Sequence, residues 1–256
     1  MNEETKDYEM LNLEGIYALL EGEFDKAIKL FEEACAIENE CYEALCNLGK
    51  TYMLKQDIEK AITYFEKSLE INPEFVEALH NLGVANYKLE DIDKAIEFYQ
   101  KVVKINDKYY ESWYNLGNSF YEIGDLEEAI KYYLKATEAN PNYTDAFFNL
   151  GNTYRELKQH ERAIKAYEQI LKIRQDDAAV YYNLGYVYQI TKKFEKAIEN
   201  YQYATRLQKD YLKAMINLGI AYQQNGNNKE AKEMYEKILE INADLDFIKV
   251  KLKELE

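Results

Sequence analysis

Apolar residues along this chain recur at steps of three and four, and the resulting pattern returns every 34 residues without an insertion. Trp113, Leu116, Gly117 and Phe120 share one side of a helix, and Ala129, Tyr133 and Ala136 share one side of a second. Such spacing belongs to amphipathic helices rather than to strands. Between the two sets Gly124-Asp125 signals a turn, and Pro141 closes the unit where a helix must stop. Each unit is therefore expected to be two antiparallel helices of about three to four turns.

The period is carried by three kinds of residue. Glycine stands at Gly15, Gly49, Gly83, Gly117, Gly151, Gly185 and Gly219, and alanine at Ala27, Ala61, Ala95, Ala129, Ala163, Ala197 and Ala231. Four residues beyond each alanine comes Phe31, Phe65, Tyr99, Tyr133, Tyr167, Tyr201 or Tyr235. The frame predicts repeats starting near 8, 42, 76, 110, 144, 178 and 212, with no linker inside 8–245 and one domain over 1–256. A glycine inside a helix costs nearly 1 kcal/mol against alanine, so these glycines are expected to let a neighbouring helix approach closely, each facing the alanine twelve positions later. The first repeat has Glu14 where the others have leucine, as suits an end that meets water. After Asp246 a further helix is expected over 246–256, with Lys249 and Lys253 at the aromatic and glycine positions. Leu245, Ile248, Leu252 and Leu255 share its face, the pattern of a solubilising cap.

Composition narrows the function. The hydrophobic content of 47% is ample for a core, and 31% charged residues give a well-solvated surface. Glu3, Glu4, Lys6 and Asp7 precede a broken apolar pattern, so no secretory signal is expected. No apolar run reaches the length of a membrane span, so no membrane insertion is expected. Cys35, Cys41 and Cys46 are odd in number and lack a Cys-x-x-Cys pair. They read as free thiols in a reducing compartment, the cytoplasm, with no metal bound. A net charge of −15 excludes a nucleic-acid partner, which requires a basic face. That charge is concentrated in residues 1–41, whereas 144–256 hold seventeen acids and eighteen bases.

Trp113-x-x-Leu116-Gly117-x-x-Phe120, Ala129-x-x-x-Tyr133 and Pro141 resemble the signature of the tetratricopeptide repeat family, over residues 8–245. The resemblance implies an all-α, right-handed superhelical solenoid of seven helix-turn-helix repeats plus a C-terminal capping helix. It further implies a concave side lined by the first helix of each hairpin, where family members usually bind extended peptides.

No constellation for catalysis stands out. Gly22, Gly124 and Gly226 fall at turns and exhaust the ten glycines, leaving none for a phosphate-cradling loop. Gly49-Lys50-Thr51 echoes the end of a nucleotide-binding loop, but Ala44 stands where the leading glycine should be. His80 falls on the groove-lining face and His160 after a turn, in water, and neither pairs with a nucleophile. A non-catalytic chain without a cofactor is the expectation.

In the family's geometry the second, fifth, sixth, ninth and twelfth positions of each repeat point inward. The sixth is Asn47, Asn81, Asn115, Asn149, Asn183 and Asn217 in successive repeats. Such a ladder can pair with a peptide backbone without reading its sequence, similar to the asparagine ladder of the O-linked glycosaminyltransferase repeats, or it can be plain repeat consensus. His80, Tyr87, Tyr114, Tyr121, Phe148, Tyr182 and Tyr186 form an aromatic stripe apart from the set read as core, Trp113, Phe120, Phe147, Tyr154, Tyr181 and Tyr188. Rigid aromatics anchor partners at low entropic cost. The second position runs Glu9, Glu43, Glu77, Glu111 and Asp145 before Ala179 and Lys213, a solvated face or one favouring basic residues in a partner. The two-carboxylate clamp of chaperone adaptors is matched at Asn152, Asn183 and Lys213 but not at Phe148 or Asn217. Taken together, the expected peptide site comprises Asn81, Tyr87, Tyr114, Asn115, Asn118, Tyr121, Phe148, Asn149, Asn152, Arg155, Tyr182, Asn183 and Tyr186. The expected partner is a protein or peptide with basic and apolar residues; the alternative is a scaffold that associates with copies of itself.

Overall fold

A computed structural model describes residues 7–255; Glu3, Glu4 and Lys6, and Glu256 of the expected cap, lie outside the described residues. Helices are the regular elements throughout, fifteen among the described residues. They fall into two compact units, up to Asn140 and from Pro141 onward. The first holds α1 (Tyr8–Leu20), α2 (Phe24–Ile37), α3 (Tyr42–Leu54), α4 (Ile58–Ile71), α5 (Val76–Lys88), α6 (Ile92–Ile105), α7 (Tyr110–Glu122) and α8 (Leu126–Ala139). The second holds α9 (Thr144–Glu156), α10 (His160–Ile173), α11 (Ala178–Ile190), α12 (Phe194–Leu207), α13 (Leu212–Gln224), α14 (Asn228–Ile241) and α15 (Asp246–Lys253). Within each unit consecutive helices pack as hairpins, and each hairpin packs on the next.

Local signals set the ends. Asp57, Asp91 and Asp125 cap α4, α6 and α8, each carboxylate accepting from the backbone N–H three residues on, which satisfies a helix-end donor that nothing else reaches. After α4, α6 and α14 the side chains of Asn72, Asn106 and Asn242 accept from the N–H two residues on and turn the chain. At the hairpin turn the backbone is left-handed in every repeat. Three repeats place glycine there, with Gly124 at φ 85°, and four place Gln56, Glu90, Lys158 and Lys192.

The core of each hairpin is one aromatic ring. Phe31, Phe65, Tyr99, Tyr133, Tyr167, Tyr201 and Tyr235 are buried, and the periodic alanines pack beside them. The ring, not the alanine, is what the periodic glycine faces: a Cβ at Gly185 would lie 2.7 Å from two ring carbons of Tyr201, and every repeat shows the same crowding. This corrects the expected glycine–alanine contact. A flat ring sixteen positions on needs the space that the missing methyl leaves. The aromatics read as core are likewise displaced outward. Of that set Tyr154 is buried, while Trp113, Phe120, Phe147, Tyr181 and Tyr188 are half-buried. Trp113 and Phe120 stack on Tyr132, and Tyr181 stacks on Tyr203. Cations from the second helices cover several such rings, with Lys60 over Tyr52, Arg162 over Tyr154 and Lys196 over Tyr188.

Cys35 and Cys41 correct the expectation of three free thiols. The chain reverses between α2 and α3, bringing their Cα atoms to 5.2 Å, and the two are paired as a disulfide. Cys46 is free and buried, and burial pushes its thiol up to about 12. The cap exists, as α15 with Ile248 buried.

Candidate peptide-binding faces

The first helix of each hairpin carries the expected site residues, and a common construction holds them. At the fifth position a ring leans on the central ring of its own hairpin. In the first unit His80 meets Tyr99 at 5.8 Å and Tyr114 meets Tyr133 at 5.9 Å. In the second, Phe148 meets Tyr167 at 6.0 Å and Tyr182 meets Tyr201 at 5.9 Å. These rings are half-buried, each with one edge committed to packing. The more exposed aromatics are Tyr121 and Tyr186, at 38% and 37%.

The ninth- and twelfth-position amides serve the same rings. The Tyr133 hydroxyl donates to Oδ1 of Asn118 at 2.8 Å, and the Tyr167 hydroxyl to Oδ1 of Asn152 at 2.7 Å. In later hairpins Gln189 and Gln223 accept from Tyr201 and Tyr235. The sixth-position ladder is largely internal. Asn47 is buried and donates to Asn12, Asn81 donates to the Glu77 carbonyl at 2.8 Å, and Asn115 is half-buried with its carbonyl accepting from Ser119. Asn217 donates to the Tyr182 hydroxyl at 3.3 Å. Asn149 is half-buried, and its carbonyl accepts from Thr153.

In the first unit Tyr87 is half-buried, and burial raises the pKa of its hydroxyl, with Glu122 adding to the effect. His80 lies on the same helix face as the other fifth-position rings and is packed among its neighbours. Its ring sits between Tyr99 and Tyr109, with Nδ1 2.8 Å from Ser112 Oγ, and burial lowers its pKa. A separate apolar hollow of about 400 Å³ opens between the first repeats, lined by Ile16, Leu19, Leu20, Met53 and Leu54 with Asn47, Lys50 and Asn81. Sequence reading passed over it because leucine and methionine at helical spacing look like core.

In the second unit the structure gathers Arg155, Tyr182 and Tyr186 around one cleft of about 700 Å³. Tyr182, Tyr186 and Ile190 follow at steps of four along α11 and form one wall. Arg155, Glu156, Lys158 and His160 come from the end of α9, the turn and the start of α10. Arg155 donates from a terminal guanidinium nitrogen to Oδ1 of Asn183 at 2.8 Å and lies over the Tyr186 ring at 5.5 Å. Asn183 is buried and in turn donates to the Ala179 carbonyl at 2.8 Å, so the group holding Arg155 is itself fixed. Burial pushes the Tyr167 hydroxyl up to about 12, and Arg155 pulls it back. The His160 side chain is half-buried and its Nδ1 is buried without a hydrogen-bond partner among the described residues, which corrects the expectation of a histidine in water. Lys158 and His160 were missed as lining residues because they lie outside the first helix.

Models described as tetratricopeptide repeat match residues 42–75, 74–142, 114–178 and 176–244, and one described as Sel1 repeat matches 10–38. No curated protein matches. Among solved structures, the C-terminal part of a TPR repeat-containing protein from Cytophaga hutchinsonii aligns with a TM-score of 0.79 at 16% identity, over 91% of this chain and 96% of that one. YrrB, described as a TPR protein with an unusual peptide-binding site, aligns at 0.62 and 22% identity over 72% of this chain and 95% of its own. MamA aligns at 0.60 and 28% identity over 63% of this chain and 95% of its own. The first two likenesses speak to fold alone. With one of these repeat models matching 74–142 and 176–244, more than half of the sequence, the chain belongs to the tetratricopeptide repeat family.

Proposed function

We propose that this chain is a non-catalytic protein-interaction adaptor that holds an extended peptide segment against the first-helix faces of its hairpins. The observation that carries the reading is the second-unit cleft, where an arginine fixed by neutral groups stands beside an aromatic–aliphatic wall. Hydrophobic anchors with a few fixed polar groups are the ordinary make-up of a recognition site. YrrB's description as a peptide binder agrees with it. Ordering an extended peptide costs chain entropy, so a Kd on the order of micromolar is expected. The test is panning of a library of short random peptides on the purified chain, with Tyr186→Ser as comparison. Enriched peptides that bind the wild type and lose roughly tenfold in the variant support the reading. No enrichment, or enrichment indifferent to Tyr186, removes it.

A second reading, self-association as a scaffold, is favoured by a different observation. The terminal helices expose apolar side chains, Tyr17 and Leu20 on α1 at 59% and 77%, and Phe247 and Val250 on α15 at 49% and 57%. Light scattering across a dilution series separates the two. A monomer at every concentration leaves the adaptor, and mass that climbs with concentration favours the scaffold.

A further inference from the structure

We infer that the second-unit cleft reads a carboxylate, and that its ligand is a peptide segment carrying an Asp or Glu side chain beside apolar residues. The inference rests on the peptide-binding reading and specifies the chemistry of that site.

The charges decide it. All four arginines of this chain of net charge −15 lie beyond residue 141, and three stand outside the cleft lining. Most paired lysines of the chain meet an acid three or four residues away along their own helix or across its cap. Arg155 does not. It makes no ion pair among the described residues, although acids outnumber bases by 47 to 32 overall. Its partners are the Asn183 amide oxygen and the face of Tyr186, both neutral. A guanidinium carries five N–H donors, and one is bonded to Asn183. Lys158 adds a second cation without an ion pair among the described residues. Glu156 is the one acid in the lining. At the start of α10 the capping position is Gln159, whose side chain accepts from Arg162 and makes no capping bond, where α4, α6 and α8 have an aspartate. The local balance is thus positive within an acidic protein.

Geometry supplies the rest. Asn183 is buried and fixed to Ala179, so the guanidinium is held before a ligand arrives and loses little freedom on binding one. A planar guanidinium matches a carboxylate with two parallel hydrogen bonds, each stronger than a neutral one. The wall of Tyr182, Tyr186 and Ile190 is where flanking apolar side chains would rest. The site is not the chaperone-adaptor clamp, since two positions where that clamp places cations hold Phe148 and Asn217.

The experiment uses synthetic peptide arrays in which each position in turn is fixed as Glu, Gln, Lys or Phe and the others are randomised. Arrays are made with free and with amidated C-termini and probed with the full chain. The wild type is expected to prefer Glu over Gln at one position by about tenfold, as a charge-assisted hydrogen-bonded pair gives. Arg155→Gln should abolish the preference, and Arg155→Glu should turn it toward Lys, a reversal that misfolding cannot produce. Preference kept in amidated peptides assigns the carboxylate to a side chain. Preference confined to free C-termini overturns the side-chain assignment. Binding without preference for Glu, or a preference that survives Arg155→Gln, overturns the carboxylate inference while leaving peptide binding intact. Arrays with no binding anywhere remove both readings.

Discussion

The hydroxyl of Tyr167, a residue with no exposed surface, donates a 2.7 Å hydrogen bond to Oδ1 of Asn152, fifteen residues earlier on the facing helix. The same hairpin-internal bond joins Tyr133 to Asn118, Tyr201 to Gln189 and Tyr235 to Gln223. In the first two repeats the facing positions are Ile16, Leu19, Lys50 and Met53, and the central ring is Phe31 or Phe65. Tyr99 faces Val84 and Tyr87 in its own hairpin, and Asn115 of the next pulls the raised pKa of its buried hydroxyl back down. A buried phenol without a partner is costly, and in the last four hairpins an amide oxygen receives the hydroxyl proton.

Asn152→Ala is therefore expected to destabilise the protein by about 1–3 kcal/mol, the cost of an orphaned buried hydroxyl. In a Tyr167→Phe background the same substitution should cost well under half as much. Urea unfolding of the four members of the cycle measures the coupling. Additive effects would show that the bond carries no energy. The result also bears on binding assays: loss of affinity in Asn152→Ala or Asn118→Ala cannot be credited to a peptide contact until the change in stability is subtracted.

The periodic glycines make a second prediction. A methyl group at Gly185 would fall within 2.7 Å of the Tyr201 ring. Gly185→Ala should gain helix propensity of nearly 1 kcal/mol and lose more to overpacking, about 1–3 kcal/mol. The net effect is destabilising. Pairing it with Tyr201→Leu should recover part of the loss by removing the ring. Thermal melts decide, and a Gly185→Ala variant as stable as wild type would refute the ring contact.

How far the sequence spoke depended on how regular each feature is. Repeat length, hairpin order and the capping helix follow from spacing alone, because a 34-residue frame with glycine and aromatic at fixed offsets admits one arrangement of helices. What the glycine faces did not follow: alanine and aromatic keep the same period, and only packing distinguishes them. Arg155, Tyr182 and Tyr186 were legible as surplus residues on the first-helix face. Lys158 and His160 were not, since a turn residue and the first residue of a second helix lie outside that pattern. Nor was the internal use of the asparagines, because an amide that reaches a neighbouring hydroxyl and one that reaches a ligand look identical in sequence.

Left-handed turn residues give a third test. Gly124 and Lys192 occupy the same place in their repeats, with φ of 85° and 59°. A side chain in this conformation costs roughly 1 kcal/mol, partly offset because glycine is more flexible when unfolded. Lys192→Gly is expected to stabilise by a few tenths of a kcal/mol and Gly124→Ala to destabilise by about 1 kcal/mol. The signs should be opposite in chemical denaturation at constant m-value. Equal signs would mean that side-chain contacts, not backbone strain, govern the turn.

His80 supplies the pH dependence. Its ring is packed between Tyr99 and Tyr109 and bonded to Ser112, and burial lowers its pKa from the ordinary value near 6.5, against a smaller opposing pull from Glu111 and Glu77. The folded protein thus binds its proton less readily than the unfolded chain does. Where the unfolded state holds more protons, stability rises with pH. The contribution of neutral His80 is complete above the unfolded value near 6.5 and is lost as pH falls from there toward the depressed folded value. The wild type should accordingly lose stability between about pH 7 and pH 5 by an increment that His80→Gln lacks, because glutamine does not titrate. Urea midpoints of the two proteins across that range provide the measurement. Subtracting one curve from the other cancels the carboxylates, which titrate alike in both. If the difference were flat, or if the wild type gained stability relative to the variant on acidification, His80 would bind its proton at least as readily in the fold as in the unfolded chain, and the lowered pKa would be wrong.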